Sequence, residues 1–439
     1  MSYHESIRYL YNLQRHGIKL GLDNIRRLVS RLGNPQTSFR TIHVGGTNGK
    51  GSTSAIIASI LRSAGFTVGL FTSPHQVSFT ERIQINGDEI HEADVVRLAE
   101  EVRESASRLN DLSPTFFEVV TAMAFLHFSR QRIDFAVMEV GMGGRLDATN
   151  IITPDVCVIT QIAYDHMEFL GRTLRDISGE KAGIIKKGVP VVTADQEKDA
   201  LDVIAMKAKD NHAGLYVYGN DFSSRLIGGD TRGIQFEYHD TEMRIDNLCL
   251  PLAGAHQMLN ASLAIKAVSL LSESISERVI KEGVRSTGWP GRLEYIHDDP
   301  PVIIDGAHNP RAAAVLSQSL RDTFMKRHGK IILILGIMGD KDIAGILKPL
   351  LPLAWNVIMT RPSYARAALP ETIGRIAESM GFSNFRTAQT LQEALETAMK
   401  EARDMQPDPA LIVITGSFYT TGEAREALGK KGVLTTLRE

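Results

Sequence analysis

Short apolar runs alternate with helical periodicity through the first half of the chain. The runs in "RTIHVGG", "FTVGLFTSP", "IDFAVMEVGMGG" and "PDVCVITQIAYDH" predict buried strands that end in glycine or polar residues. Between them, "KGSTSAIIASILRSAG" and "TFFEVVTAMAFLHFSRQ" predict amphipathic helices, the first ending at Gly65. "ERIQINGDEI" contains Asn86-Gly87, which predicts a hairpin turn. This succession indicates a mainly parallel sheet with helices on both faces.

The second half changes character twice. Short strands are predicted from about Tyr216 to Leu250, followed by a helix from His256 to about Leu271. "STGWPGRLEY" (286–295) predicts a linker, and apolar runs in "PVIIDGAH", "KIILILGIMGD", "AWNVIMT" and "ALIVITGS" follow it. We therefore predict an α/β protein, with a P-loop-type, mainly parallel sheet domain at 1–290. A smaller C-terminal α/β, Rossmann-like domain is predicted at 291–439.

Composition narrows the class of partner. The chain has 439 residues, 49 basic and 51 acidic, with a formal charge of -2. This balance gives no support to a nucleic-acid or membrane partner. Cys157 and Cys249 lie in apolar contexts, and the N-terminus lacks the apolar segment of a secretory signal. We expect reduced thiols and a cytoplasmic location.

The stretch "HVGGTNGKGSTSA" resembles a phosphate-binding loop with two departures from G-x-x-x-x-G-K-[ST]. Val44 takes the place of the first glycine, and Gly51 takes the place of the hydroxyl residue. A strand, a glycine turn and a helix start follow in the required order. We expect the backbone N–H groups of 47–52 to bind phosphates and Lys50 to reach the outer ones. The alternative is a glycine-rich turn that binds nothing.

Polar residues follow the other predicted strands. Ser73, Glu139 and His166, together with Asp165, are expected at the carboxyl edge of the sheet, where ligands bind in open α/β folds. A carboxylate beside a phosphate loop commonly holds Mg²⁺, and the spacing does not match a zinc site. Lys181, in "SGEKAGIIKKG", is expected from its local sequence to be an ordinary solvated lysine.

In the smaller domain, polar residues again follow strands. Asp305 and His308 follow "PVII", and Thr415, Gly416 and Ser417 end "ALIVITGS". Each site alone is compatible with a plain turn. Two such strand ends in one small domain predict a polar face presented across a cleft.

Nine motifs together point to a family. In chain order they are "GTNGKGS", "TSPH…ER", "EVGMGGRLDATN", "YDHMEFLG", "EKAGI", "LAGAHQMLNA", "WPGRLE", "DGAHNP" and "TGSFY". The set resembles folylpolyglutamate synthase/dihydrofolate synthase, of the ATP-dependent Mur ligase superfamily, from about residue 12 to residue 423. The resemblance implies that ATP phosphorylates a folate carboxylate and that the amine of L-glutamate attacks the acyl phosphate. The implied cofactors are ATP and Mg²⁺, and a monovalent cation is allowed.

The resemblance also implies roles for individual residues. ATP contacts are assigned across both domains, to Asn48, Gly49, Lys50, Gly51, Ser52, Asn260, Arg292 and Asp305. Metal contacts are assigned to Ser73, Glu139 and His166. Catalytic roles are assigned to Lys50, Lys181 and His308, with Lys181 carbamylated, and the incoming glutamate is assigned to His308 and Ser417. The folate or pteroate is assigned to Asn12, Arg15, Phe117, Gly144, Arg145 and Asp147.

Several alternatives stay open at this point. His75 and Arg145 favour the bifunctional form, which also acts on dihydropteroate, over a form that only extends folates. A cell-wall Mur ligase usually has a UDP-binding domain before its phosphate loop, for which this sequence has no room. A nucleotide-binding switch needs no second polar face. Because ATP contacts are implied from both domains, we expect rotation about 286–292 to close the cleft. We expect small-molecule substrates and a monomer.

Overall fold

The chain forms three β-sheets flanked by helices. The computed structural model describes residues 1–13, 21–109, 113–405 and 410–429. The strands are β1 Arg40–Gly45, β2 Val68–Phe71, β3 Ile83–Ile85, β4 Asp88–Glu89, β5 Phe135–Glu139, β6 Val156–Ile159, β7 Val191–Thr193, β8 Leu215–Val217, β9 Phe222–Asp230, β10 Gly233–Asp240, β11 Arg244–Leu250, β12 Glu294–Asp298, β13 Pro301–Ile304, β14 Ile331–Gly336, β15 Asn356–Thr360, β16 Phe385–Thr387 and β17 Leu411–Thr415.

Helices connect most of the strands. They are α1 Tyr3–Asn12, α2 Asp23–Arg31, α3 Lys50–Ser63, α4 Glu92–Ser107, α5 Phe116–Arg130, α6 Met167–Leu170, α7 Leu174–Ala182, α8 Lys198–Asp210, α9 His256–Ser269, α10 Glu277–Arg285, α11 Pro310–Ser319, α12 Met325–His328, α13 Ile343–Leu350, α14 Pro370–Ser379, α15 Leu391–Arg403 and α16 Phe418–Ala427. Short 3₁₀ helices lie at Pro35–Thr37, Phe79–Arg82, Ala148–Ile151 and Leu351–Leu353, and a π-helical turn at Leu320–Phe324 joins α11 to α12. Within the described chain, no helix is long and apolar enough to cross a membrane.

The first sheet has eight strands in the order β4-β3-β2-β5-β1-β6-β7-β8. The neighbours β2-β5-β1-β6-β7-β8 all pair in parallel, whereas β3 pairs antiparallel with both β2 and β4. Val44 pairs with Glu139 across β1 and β5, and Gly45 pairs with Ile159 across β1 and β6. The carboxyl ends of four neighbouring strands therefore meet at one edge, directly beside the loop after β1.

The second domain contains a six-stranded sheet in the order β12-β13-β17-β14-β15-β16. Only β12 pairs antiparallel, and apolar clusters lie on both faces. The α/β class predicted from the sequence is confirmed. Parallel pairing requires crossover helices, which is why apolar runs and helical periods alternated along the sequence.

Three predictions were inexact. The region from about Tyr216 to Leu250 divides, because β8 extends the first sheet while β9–β11 form a separate antiparallel sheet. α5 was predicted to be amphipathic, but it is buried on nearly every side, between α1, α2, α4 and the sheet. The linker prediction also included the start of β12, which begins at Glu294.

Candidate active site

The loop between β1 and α3 forms the expected phosphate-loop geometry. Gly49 caps the helix with φ 91°, a left-handed conformation that suits glycine. Thr53 N–H makes the first intrahelical bond, to the Gly49 carbonyl at 2.9 Å. The N–H groups of Lys50, Gly51 and Ser52 precede that bond and so have no partner within the helix. They lie at the positive end of a 14-residue helix, which favours an anion.

Fewer backbone N–H groups are free to bind phosphate than the predicted set at 47–52. The N–H groups of Thr47 and Asn48 both donate to the Gln161 carbonyl, at 3.0 and 3.1 Å. They tie the loop to the end of β6, so they do not point toward a phosphate. Lys50 Nζ donates to the Thr47 carbonyl at 3.2 Å, which holds the ammonium over the loop.

Glu139 ends β5 in a buried position beside Lys50. Its Oε2 accepts the Ser73 N–H at 3.2 Å, and it is 4% exposed. Burial raises the pKa of Glu139, and the charges of Lys50, Arg292 and Arg82 oppose that rise. A buried carboxylate with no direct cationic partner in the described residues fits a bound divalent ion.

His166 faces the same region from the end of β6. Its backbone is left-handed, with φ 50°, and partial burial, which leaves 40% of the side chain exposed, lowers its pKa to about 4. Lys50 contributes to that lowering, so a neutral imidazole is available to a metal. At this site, as in the rest of the described chain, no group of three or more His, Cys, Asp or Glu is arranged to hold a metal. A magnesium site here would need Ser73, phosphate oxygens and water to complete it.

Lys181 is buried, and the expectation of an ordinary solvated lysine is wrong. The side chain is 5% exposed, and Nζ donates to the Gly46 carbonyl at 2.7 Å. Burial and the charge of Lys50 lower the pKa of Lys181 to about 7, although Asp165 and Asp147 oppose the shift. The local sequence could not reveal this burial, because the partner of Nζ is the Gly46 carbonyl, 135 positions earlier in the chain.

Asp165 connects the two domains. Its carboxylate accepts from Lys341 Nζ at 2.7 Å and Asn309 Nδ2 at 3.3 Å, and lies 3.4 Å from His308 Nε2. Burial acts to raise the pKa of Asp165, but His308, His166 and Lys341 hold it well below its usual value. Asn309 also donates to the Asn48 side chain at 3.0 Å. The second domain therefore meets the phosphate loop directly, and its polar face closes the cleft.

The turn after the linker carries Arg292 toward the same cleft. Leu293 adopts φ 47°, and its N–H donates to Asp305 Oδ2 at 3.1 Å. Arg292 lies over the Phe418 ring at 4.7 Å, and the ring of His308 is 5.4 Å from that of Phe418. A non-glycine residue with positive φ is strained, and Asp305 stabilises the strained turn. Asp305 is thereby placed in a supporting position beside Arg292.

Ser417 caps α16 and is 2% exposed. Its Oγ accepts the Thr420 N–H at 3.1 Å and bonds the Thr420 hydroxyl at 2.8 Å. The hydroxyl proposed for glutamate is thus already used as a helix cap. Its role toward a substrate stays a prediction.

A cavity of about 670 Å³ adjoins Arg292 between the domains. Trp289, Leu252 and Tyr295 are among the residues that line it. Three buried polar atoms in this region have no hydrogen-bond partner among the described residues. One is Nε1 of Trp289 in the cavity lining, and the others are His256 Nδ1 and Gln257 Nε2 at the start of α9. Asn260, the predicted contact, donates to Gln257 Oε1 at 2.9 Å. Sequence reasoning missed the other three residues, whose only signal was their position inside the motifs "LAGAHQMLNA" and "WPGRLE".

Of the residues predicted to bind folate, Phe117, Gly144, Arg145 and Asp147 make contacts within the protein. Phe117 packs against Gly141, where a Cβ would come within 2.5 Å of the ring. Arg145 is held by Glu180 at 2.8 Å, and a Cβ on Gly144 would lie 2.8 Å from the Glu180 carbonyl. Asp147 is 7% exposed, and both its oxygens bind its own loop, through Met142 N–H at 2.9 Å and Thr149 N–H at 3.0 Å.

Two predicted folate residues lie near the N-terminus. Asn12 is exposed at the end of α1. Arg15 lies outside the described residues.

Comparison with known proteins identifies the family. Residues 44–268 match the Mur ligase middle domain, and residues 291–418 match the Mur ligase glutamate ligase domain. The chain is 34% identical to the dihydrofolate synthase/folylpolyglutamate synthase of Bacillus subtilis, over 97% of this chain and 99% of that one. The chain belongs to the Mur ligase family. Within that family it falls in the folylpolyglutamate synthase/dihydrofolate synthase branch, as the motifs predicted.

Two further relatives bear on the site. The folylpolyglutamate synthase of Lacticaseibacillus casei is 38% identical, covering 98% of this chain and 99% of that one. The solved Mycobacterium tuberculosis folylpolyglutamate synthase complexed with ADP superposes with a TM-score of 0.92 at 33% identity, covering 98% and 100% of the two chains. The expectation of an ATP-dependent ligase acting on folates is confirmed at the level of the family. The relatives carry both monofunctional and bifunctional names, so their names leave bifunctionality open.

Proposed function

We propose that this protein joins L-glutamate to folates in an ATP-dependent reaction, and joins it to dihydropteroate as well. One observation carries the proposal. Lys50, Glu139 and Lys181 lie at the phosphate loop, and His308 and Lys341 of the second domain contact Asp165 beside it. A nucleotide switch would not need this second polar face. A ligase needs it, because the amine must attack next to the transferred phosphate.

The chemistry requires activation of a poor acyl donor. A carboxylate oxygen of the acceptor attacks the γ-phosphorus, ADP leaves, and an acyl phosphate forms. The neutral amine of glutamate then attacks the acyl carbon, and the tetrahedral intermediate collapses to an amide and phosphate. The helix N-terminus and Lys50 stabilise charge on the transferred phosphoryl group. Closure of the domains holds the reactants together and excludes water.

ATP is placed across both domains. We assign its phosphates to Asn48, Gly49, Lys50, Gly51 and Ser52. The nucleoside is assigned to the cavity beside Arg292, with Asn260 at its edge and Asp305 holding the turn. The unpartnered polar atoms of Trp289, His256 and Gln257 support this placement, since buried polar groups normally have partners.

Mg²⁺ is assigned to Ser73, Glu139 and His166, where it would neutralise phosphate charge. Carbamylation of Lys181 is proposed from the resemblance, and its depressed pKa supports it because carbamylation requires a neutral amine. A monovalent cation is compatible with this set.

The two organic substrates are assigned to residues of different domains. We assign glutamate to His308 and Ser417, and the folate or pteroate to Asn12, Arg15, Phe117, Gly144, Arg145 and Asp147. We place the domain boundary at 290/291, supported by the division of the sheets on either side of 286–293. We propose a cytoplasmic monomer with small-molecule partners only, and the near-zero charge balance supports the absence of a nucleic-acid partner.

The decisive experiment is ADP release and amide formation from dihydropteroate, L-glutamate and ATP. Product formation supports bifunctionality, and glutamate addition to tetrahydrofolate alone leaves the polyglutamylating activity. Lys50→Ala is expected to abolish turnover with the fold intact. Near-normal activity of that variant, or ADP release without a folate, would contradict the proposal.

A further inference from the structure

Arg82 is a buried cation without an anionic partner. It ends the 3₁₀ helix Phe79–Arg82 and is 7% exposed. Its Nε donates to His75 Nδ1 at 2.8 Å, and its guanidinium lies 5.2 Å from the Phe116 ring centroid. In the chain as described, no carboxylate lies within ion-pair distance of Arg82, and its side-chain hydrogen bond to the protein is made through Nε, leaving both Nη groups without a protein partner.

Neighbouring contacts fix the orientation of this guanidinium. Because Arg82 donates to His75 Nδ1, the proton of a neutral imidazole lies on Nε2. That nitrogen is 3.0 Å from the Tyr11 hydroxyl, which therefore accepts its hydrogen bond. Tyr11 in turn stacks on Phe116 at 5.6 Å. One edge of the guanidinium is thus used by the protein, and the edge formed by the two Nη groups is left for a ligand.

Arg82 also lies close to charged and polar groups of both domains. Its charge lowers the pKa of Glu139 against the effect of burial, and it does the same for Tyr419 in the second domain. Tyr419 follows Phe418, whose ring contacts Arg292 and His308. Arg82 is therefore near the phosphate loop, near the second domain and beside the aromatic side chains of the first domain.

A buried guanidinium is costly unless an anion neutralises it. Burial lowers the pKa of Arg82, and the charges of Glu81 and Glu139 oppose that fall without coming within ion-pair distance. A planar fork with two free Nη groups matches a carboxylate bidentately. The site therefore combines the two Nη donors of Arg82, the ring of Phe116 and a positive charge with no protein carboxylate at ion-pair distance. A carboxylate of a ligand would pair with that charge.

We propose that Arg82 binds a carboxylate of the acyl acceptor, held in place by His75. This inference rests on the proposed function. Two carboxylates of the acceptor have the required chemistry: the α-carboxylate of a terminal glutamyl residue, and the carboxylate that reacts. The position of Arg82 in the first domain, beside Phe116 and Tyr11, favours the acceptor over the incoming glutamate.

The test compares acceptors that differ in their number of carboxylates. Arg82→Gln is assayed with dihydropteroate, which has one, and with tetrahydrofolate monoglutamate, which has two. The KM for tetrahydrofolate is expected to rise about 10- to 100-fold, the range expected for losing charge-assisted bonds. If dihydropteroate is spared, Arg82 binds the α-carboxylate; if both acceptors lose equally, it binds the reacting carboxylate. Either result supports the proposal.

Three controls separate binding from folding. Arg82→Lys keeps the charge and is expected to recover part of the loss. Arg82→Ala is expected to be rescued by millimolar guanidinium, which a merely structural role would not allow. Arg40→Gln removes an arginine paired with Asp155 at the amino end of β1, and it is expected to leave the acceptor KM unchanged.

Two results would overturn the inference. One is unchanged acceptor constants in Arg82→Gln, and the other is a rise confined to the KM for glutamate. The wild-type chain is measured first. A wild type that is inactive with both acceptors would contradict the proposed function itself, whereas an active wild type with unaffected Arg82 variants would contradict only this inference.

Discussion

Two lysines of the first domain are buried to nearly the same degree but have opposite partners. Lys181 is 5% exposed and donates to the Gly46 carbonyl at 2.7 Å, with no carboxylate at ion-pair distance in the described chain. Lys266 is 3% exposed and pairs with Asp240 at 2.9 Å. Burial alone therefore does not mark a reactive lysine. We expect the reactive lysine to be the one that lies beside the phosphate loop and lacks a paired carboxylate.

The surroundings of Lys266 form a closed structural network. Asp240 also accepts from the Tyr238 hydroxyl at 2.9 Å and from two backbone N–H groups of the next turn at 2.8 Å. Lys266 lies over the Tyr216 ring at 4.9 Å. Every charge is matched, so this network fastens the β10–β11 hairpin to α9, the helix that carries Asn260. Lys181 lacks such compensation, and its pKa of about 7 reflects that.

The largest expected effect separates the two lysines by activity. Lys181→Met is expected to lower turnover by about 10³-fold or more, the scale at which removal of a positioned electrostatic group acts, with little change in Tm. ADP release and thermal unfolding measure the two quantities. Turnover within tenfold of the wild type would show that Lys181 is structural, like Lys266.

The second prediction concerns stability. Lys266→Met leaves the Asp240 charge buried and unpaired, so the free energy of unfolding is expected to fall by about 3–5 kcal/mol. Turnover per folded molecule is expected to stay within a fewfold of the wild type. Urea unfolding measures the loss. The double variant Lys266→Met/Asp240→Asn, which removes both charges, is the matched control and is expected to recover part of the stability.

The third prediction is a pH dependence of the same pair. Although burial acts to raise it, the Lys266 bond and two backbone N–H groups hold the pKa of Asp240 below its usual value. The folded state then binds fewer protons than the unfolded state. The resulting stability is fully present above the unfolded pKa of about 3.9 and is lost as pH falls through the lower folded pKa. Comparing urea unfolding of wild type and Asp240→Asn from neutral pH into this acid range measures it. Parallel curves would refute the linkage.

The smallest expected effect concerns the aromatic ring over Lys266. Tyr216→Leu removes the cation–π contact and is expected to destabilise the protein by about 1 kcal/mol. Tyr216→Phe retains the ring face and is expected to stay near the wild type. Equal losses in the two variants would assign the effect to the Tyr216 hydroxyl.

Most of the fold could be predicted because local patterns agreed with the global structure. The parallel strands read as apolar runs ending in glycine or polar residues, and Asn86-Gly87 marked the β3–β4 turn, where both residues have positive φ. The placement of Glu139 and His166 at one edge followed from parallel pairing alone. The division of the short strands after Tyr216 was not predictable, since no local signal tells a strand which sheet it joins.

The site was harder to predict where function depends on burial across elements. Lys181 is surrounded by small residues in sequence, and its environment comes from the phosphate loop 135 positions away. Arg82 and Trp289 lie inside the motifs "TSPH…ER" and "WPGRLE", but those motifs assigned no role to either residue. Their importance depends on missing partners, which only three-dimensional structure reveals. The contacts of Asp165 with Lys341 and Asn309 likewise join residues far apart in sequence.

The glycine at position 51 has a consequence for sequence variation. A Cβ there would come within 2.8 Å of the Trp289 ring, so the hydroxyl residue of the common phosphate-loop pattern cannot occupy position 51 while the indole is in place. The two positions constrain each other across 238 residues of chain, at the junction where the domains meet. Relatives with serine or threonine at position 51 are therefore expected to have a side chain smaller than tryptophan at position 289. The residues at the two positions should vary together.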